Sequence, residues 1–166
     1  TLEVLDAAFA RGRLSRKSLG VAPDVSTDAE LDLRGLRHPL LLLEAGLAPE
    51  DVVPNDLALL GAARCLVVSG PNAGGKTVAA QAVGLAVLSV RAGLHVACEP
   101  GTRVPILDAV FADIGDEQDL RSGLSTFSAR MANLAAIVER LAQLTFGEGG
   151  PVRRDELQVC VDAAGR

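Results

Sequence analysis

The 166 residues contain no tryptophan and no tyrosine, and only four phenylalanines: Phe9, Phe111, Phe127 and Phe146. Proteins that hold single-stranded nucleic acid stack its bases on aromatic rings, so this composition argues against such a platform. Positive charge is also scarce. The net charge is −5, which argues against a nucleic-acid-binding surface spread over the whole chain. Lysine is scarcer still. Of 16 basic residues only Lys17 and Lys76 are lysines. The three cysteines, Cys65, Cys98 and Cys160, are odd in number and far apart, form no Cys-x-x-Cys pair, and have only His38 and His95 to join them. Neither a zinc site nor a disulfide framework is expected, and unpaired cysteines suit a reducing cytosol.

The first residues lack both the basic start and the apolar stretch of a secretory leader, and the missing initiator Met suggests a piece of something larger. The mean hydropathy is +0.30, yet the longest weakly polar run, Val78–Val90, is broken by Gln81 and Ser89 and is too short to span a bilayer. No membrane association is expected. Apolar residues make up 49% and charged residues 22%, a globular composition with enough material for one sizeable core.

Leu2, Leu5 and Phe9 recur at helical spacing, which predicts an amphipathic helix over Thr1–Arg13. Arg11, Arg13, Arg16 and Lys17 at and beyond its end suit the helix dipole. Val21–Thr27 reads as a linker, Leu31–Arg34 as a short half-buried strand, and Leu57–Leu60 as another. Pro39, Pro49 and Pro54 punctuate an irregular region. Cys65–Ser69 is a compact apolar run, expected to be a fully buried strand of a parallel sheet. Lys76–Ala92 reads as a helix that is apolar on nearly every side and closed by Gly93. His95–Cys98 and Ala109–Asp113 are candidate strands, with Gly101–Pro105 a loop between them. Thr126–Thr145 is the cleanest helix, with Phe127, Met131, Leu134, Val138 and Leu141 on one stripe and Ser125 as its N-cap. Leu157–Val161 is a last apolar run. No internal repeat is visible. The alternation of strand, glycine-rich turn and apolar helix predicts an α/β fold, a mixed sheet flanked by helices.

Gly70-Pro71-Asn72-Ala73-Gly74-Gly75-Lys76-Thr77 matches the phosphate-binding pattern G-x-x-x-x-G-K-[ST] at every position. The glycines let the backbone curl so that successive N–H groups face phosphate oxygens. The helix that follows turns its positive end to the anion, and Val78 lies in its first turn. Lys76 is expected to reach the β- and γ-phosphates, and the Thr77 hydroxyl to ligate Mg²⁺. ATP or ADP with Mg²⁺ is the expected ligand.

Five segments occur in one order: RHPLL (Arg37–Leu41), VVPNDLAL (Val52–Leu59), SGPNAGGKT (Ser69–Thr77), GLHV (Gly93–Val96) and VFADIGDEQDLRSGLSTFSARM (Val110–Met131). Together they resemble the ATPase domain of the MutS family. The Ile-Gly-Asp-Glu-Gln run points to its second bacterial type, the Smr-associated branch. LDAAFARGRLS (Leu5–Ser15) resembles the end of that family's lever helix. The resemblance covers about Leu5 to Gln143.

It implies a P-loop ATPase of ABC type that works as a nucleotide-sandwich homodimer in the bacterial cytoplasm. Residues 1–20 would end a connector helix and 21–166 would form the ATPase domain, incomplete or divergent at its C-terminal part. The parent would act on branched or mismatched DNA through parts outside this chain, restraining recombination. Stalled ribosomes and their RNA are the other partner that the resemblance implies. Val52 would pack on the adenine, with Asn55 helping to shape that pocket. Ser125 would reach the γ-phosphate held by the partner subunit, where its residues alone read as an N-cap. Gln118, in the acidic stretch Asp113–Asp119, would sit near Mg²⁺ and the attacking water, where composition alone reads a solvated turn.

The chain departs from the family at its end. Hydrolysis asks for an apolar strand ending in Asp-Glu. The only match is Leu157–Asp162, followed by Ala163, so Asp162 stands as a degenerate magnesium residue without the expected Glu. The alternative is therefore a nucleotide-binding module without hydrolysis. A P-loop small-molecule kinase would need an Arg-rich lid, and only Arg153-Arg154 are adjacent.

Overall fold

The computed structural model describes residues 1–28, 30–44, 47–63, 65–71, 74–107, 109–113, 124–146 and 158–161. Two units emerge, one of Thr1–Val110 with Glu156–Arg166 and one of Phe111–Asp155.

In the first unit, β1 (Asp24–Ser26), β2 (Leu31–Leu36), β3 (Asn55–Leu59) and β5 (Arg103–Pro105) form a mixed sheet in the order β1-β5-β2-β3. β4 (Cys65–Val68) and β6 (Gln158–Val161) form a separate parallel pair. The helices of this unit are α1 (Leu2–Lys17), the short α2 (Pro39–Leu43) and α3 (Lys76–Arg91), with a 3-10 turn at Pro49–Asp51. The predicted α/β class with a mixed sheet is what the structure has.

β2 is the heart of the sheet. Its apolar positions Leu31 and Leu33 alternate inward as strand geometry requires, and both are fully buried. After Leu33 the register slips. The slip is a bulge centred on Gly35, whose φ of +54° lies in the left-handed region. Its N–H, left without a ladder partner, donates to Asp56 Oδ1 at 2.7 Å. A side chain there would press on Glu99, whose nearest atom lies 2.6 Å from an added Cβ. α3 buries Ala79, Ala82, Val83, Ala86 and Val87, and the last four pack into this core. Its other face is open, with Leu88 46% exposed.

Several expectations change. β4 pairs in parallel as expected, but it is not fully buried: Val67 is 64% exposed. A parallel strand is covered on both faces only when layers flank it, and among the described residues β6 is its one ladder partner. The supposed linker carries β1, and the supposed loop carries β5, because each three-residue strand is the other's parallel neighbour, Asp24↔Arg103 to Ser26↔Pro105. His95–Cys98 is no strand. Only Val96 makes a bridge, to Val21. The described residues Ala109–Val110 and Phe111–Asp113 are irregular. α1 runs on to Lys17, and none of its residues is buried, so its apolar stripe faces outward.

His38 precedes α2 and is buried, with Nδ1 lacking any hydrogen-bond partner. Burial disfavours the imidazolium and lowers its pKa from the ordinary value. The unfolded chain then binds a proton that the folded chain refuses. Stability is fully present above the unfolded His value of about 6.5 and falls as pH drops below it, by at most about 1.4 kcal/mol per pH unit. Urea titrations from pH 7.5 to 5.5 should show this slope reduced in His38→Gln.

In the second unit, α4 (Leu124–Phe146) has the predicted helix within its bounds. On the predicted stripe, Met131 is 49% and Val138 64% exposed. Asn133 Nδ2 donates to the Ala112 carbonyl at 3.4 Å. The side chains of Phe127 and Leu141 lie outside the described residues.

Candidate functional site

The phosphate loop leaves the C-terminal end of β4 and enters α3. Gly75 caps α3 with φ 81° and ψ 5°, a left-handed conformation that glycine adopts without strain. The turn before it is closed by the Gly74 N–H donating to the Pro71 carbonyl at 3.1 Å, and Ala79 N–H donates to the Gly75 carbonyl at 2.8 Å. The N–H groups of the first turn, from Lys76 through Val78, have no acceptor inside the helix and face its N-terminal end. With the helix dipole they make an anion cradle.

Lys76 is half-buried, and its ammonium donates to two loop carbonyls, those of Gly70 and, at 3.3 Å, Pro71. A cation held over the mouth of a helix N-terminus fits a phosphate that brings the opposite charge. Thr77 and Val78 are exposed at the first turn, so the Thr77 hydroxyl is open to a Mg²⁺ held by phosphates. The donor set fits a nucleotide phosphate with its metal. Among the described residues no group of three or more His, Cys, Asp or Glu could hold a metal alone. Neither carbonyl that holds Lys76 could be found from side-chain patterns, since both belong to the backbone.

β6 runs parallel to β4 in the register Cys65↔Gln158 to Val68↔Val161. The chain therefore brings the C-terminal end of the last apolar run level with the start of the phosphate loop. Of the expected site residues, Asn72, Ala73, Gln118 and Asp162 lie outside the described residues. α4 begins at Leu124, which puts Ser125 inside the first turn rather than ahead of it as the N-cap; its side chain is outside the description.

Val52 closes the 3-10 turn, its N–H donating to the Pro49 carbonyl at 3.3 Å. It is 5% exposed and so offers a base little open surface. Asn55 opens β3, paired with Leu36, and its amide donates to the Val53 carbonyl at 3.2 Å. β3 in turn lies beside β4. Among the described residues no helix is long and apolar enough to cross a membrane.

Residues 66–146 match the family model for MutS domain V. The chain is 41% identical over 140 residues to the endonuclease MutS2 of Alkaliphilus metalliredigens, an alignment covering 84% of this chain and 17% of that protein. It is 43% identical over 139 residues to the endonuclease MutS2 of Agathobacter rectalis, covering 84% and 17%. To that of Pelotomaculum thermopropionicum it is 43% identical over 163 residues, covering 96% and 19%. The chain spans about a sixth of the length of the curated relatives it matches. On the phosphate loop, the domain match and these identities, the chain belongs to the MutS family, in its MutS2 type.

Proposed function

We propose that this chain is the ATP-binding core of a DNA-acting MutS-type protein, built as a P-loop ATPase of ABC type and working as a homodimer. The observation that carries the reading is the complete phosphate loop, set between β4 and a 16-residue helix with Lys76 poised at its mouth. The relatives are named endonucleases, which supports DNA as the substrate. Its contacts would lie in parts of such proteins beyond the sixth matched here.

In this reading Lys76 binds the β- and γ-phosphates and Thr77 holds Mg²⁺. The Gly75 and Val78 N–H groups would line the cradle, with Asn72, Ala73 and Gly74 completing the loop. Bound Mg²⁺ would neutralise charge on the phosphates. Ser125 would complete the site across the dimer from a helix N-terminus, and Gln118 would orient the attacking water. Asp162 follows β6 in sequence, and the parallel register of β6 with β4 supports it as a second magnesium residue. Val52 and Asn55 would form the adenine wall, which requires movement around the Pro49–Asp51 turn to open Val52.

A second reading is favoured by one observation. Ala163 stands where a water-activating Glu is needed, so this chain would bind ATP and hydrolyse it poorly. Calorimetry and phosphate release, each with and without Mg²⁺, test both. We expect Mg²⁺-dependent binding with very slow release of phosphate. Turnover comparable to an intact ABC-type ATPase would overturn the second reading, and an absence of binding would overturn the first.

A further inference from the structure

No residue of α1 is buried, and among the described residues its side-chain hydrogen bonds to the rest of its unit lie towards its C-terminal end. There Ser18 N–H donates to the Leu14 carbonyl at 2.9 Å and Gly20 N–H to the Ser15 carbonyl at 2.7 Å. This is the closure that usually places glycine in the left-handed residue between them. Here that residue is Leu19, at φ 53°, a conformation costing a non-glycine residue about 1 kcal/mol or more. Such a conformation persists where the surroundings over-determine it.

The surroundings are supplied from 80 residues away. Ser15 Oγ donates to the Gly20 carbonyl at 2.9 Å and lies 2.6 Å from His95 Nδ1. The serine hydroxyl thus bridges the Gly20 carbonyl and the His95 ring. Gly20 lets the ring come this close, since an added Cβ would lie 2.9 Å from His95 Cβ. The next residue, Val21, exchanges both backbone hydrogen bonds with Val96, at 2.8 and 3.0 Å. The exposed imidazole is thus placed by a bridge on the neighbouring residue and by its hydrogen bond with Ser15. His95 itself stands just beyond α3, whose end is closed by Gly93 N–H to the Val90 carbonyl and Leu94 N–H to the Ser89 carbonyl.

We propose that His95 is the positioning residue of a fixed joint: through its Nδ1 hydrogen bond with Ser15 it sets the direction in which α1 leaves the body. No residue of the joint belongs to the phosphate site.

Spin labels at Ala8→Cys on α1 and Gln81→Cys on α3, both exposed positions, with the three native cysteines replaced by alanine, read the joint as an electron–electron distance distribution. The parent should give one narrow distribution. His95→Ala should at least double its width while leaving ATP affinity unchanged. His95→Asn, whose amide nitrogen stands near the place of Nδ1, should restore it. Ser15→Ala, which keeps the ring, should broaden it as His95→Ala does, and it carries the test if His95→Ala fails to fold. An unchanged width in the alanine variants would overturn the proposal, and so would an asparagine variant as broad as the alanine.

Discussion

Lys76→Ala should lower the affinity for ATP by about 100-fold or more, read by calorimetry with Mg²⁺ present. The ammonium is a compact charge with three donors, and hydrogen bonds to charged groups are worth about 1.5–3 kcal/mol each. Losing two of them to the phosphates removes about 3–6 kcal/mol, and 2.7 kcal/mol already makes 100-fold. Arginine cannot substitute, because its planar fork does not fit a cradle built around a point charge. The same lysine is bonded to the Gly70 and Pro71 carbonyls, so the variant should also lose some stability, about 1 kcal/mol for half-buried bonds of this kind. A variant that binds ATP as tightly as the parent would overturn the assignment of this loop.

The largest loss of stability should come from Leu33→Ala. Leu33 is completely buried, faces Leu57 across the β2–β3 ladder, and belongs to the cluster that α3 covers. Removing a buried leucine's methyl groups costs the transfer free energy plus the cavity left behind, about 3–4 kcal/mol. In a chain of this size that is about 10 °C in melting temperature. Val67→Ala is the control. Its side chain is 64% exposed, and surface changes of this kind stay within about 0.5 kcal/mol. Urea unfolding of the two variants distinguishes a core centred on β2 from one centred on β4. Equal losses would show that the core has been placed in the wrong sheet.

Legibility varied by element, and the variation has a physical pattern. α3 and α4 were readable because a helix makes its hydrogen bonds within itself, so residue spacing and end signals suffice. The same holds for the phosphate loop, where the glycines and the lysine are demanded by local geometry and charge. β2 was readable at its core, since Leu31 and Leu33 alternate, but its continuation through Gly35 was not, because the bulge is completed by Asp56 from another strand. Of the remaining expected site residues, Val52 is one whose accessibility no residue type encodes. The resemblance implies that it meets the adenine, its side chain is buried, and its exposure depends on what packs over it.

The sequence by itself determined the family, the phosphate loop, the helix that carries it and the α/β class, because each rests on local spacing or on a motif whose residues act together. The tertiary structure alone decided that β1 and β5 are strands, that β4 lies half-open, that His38 is buried without a partner, and that α1 is held through Ser15 and His95. Each of these is a contact between residues far apart in the chain. A three-residue strand such as Arg103-Val104-Pro105 has no pattern of its own. Its hydrogen bonds exist only because Asp24–Ser26 and Asp32 come to lie beside it, and no local propensity encodes that meeting.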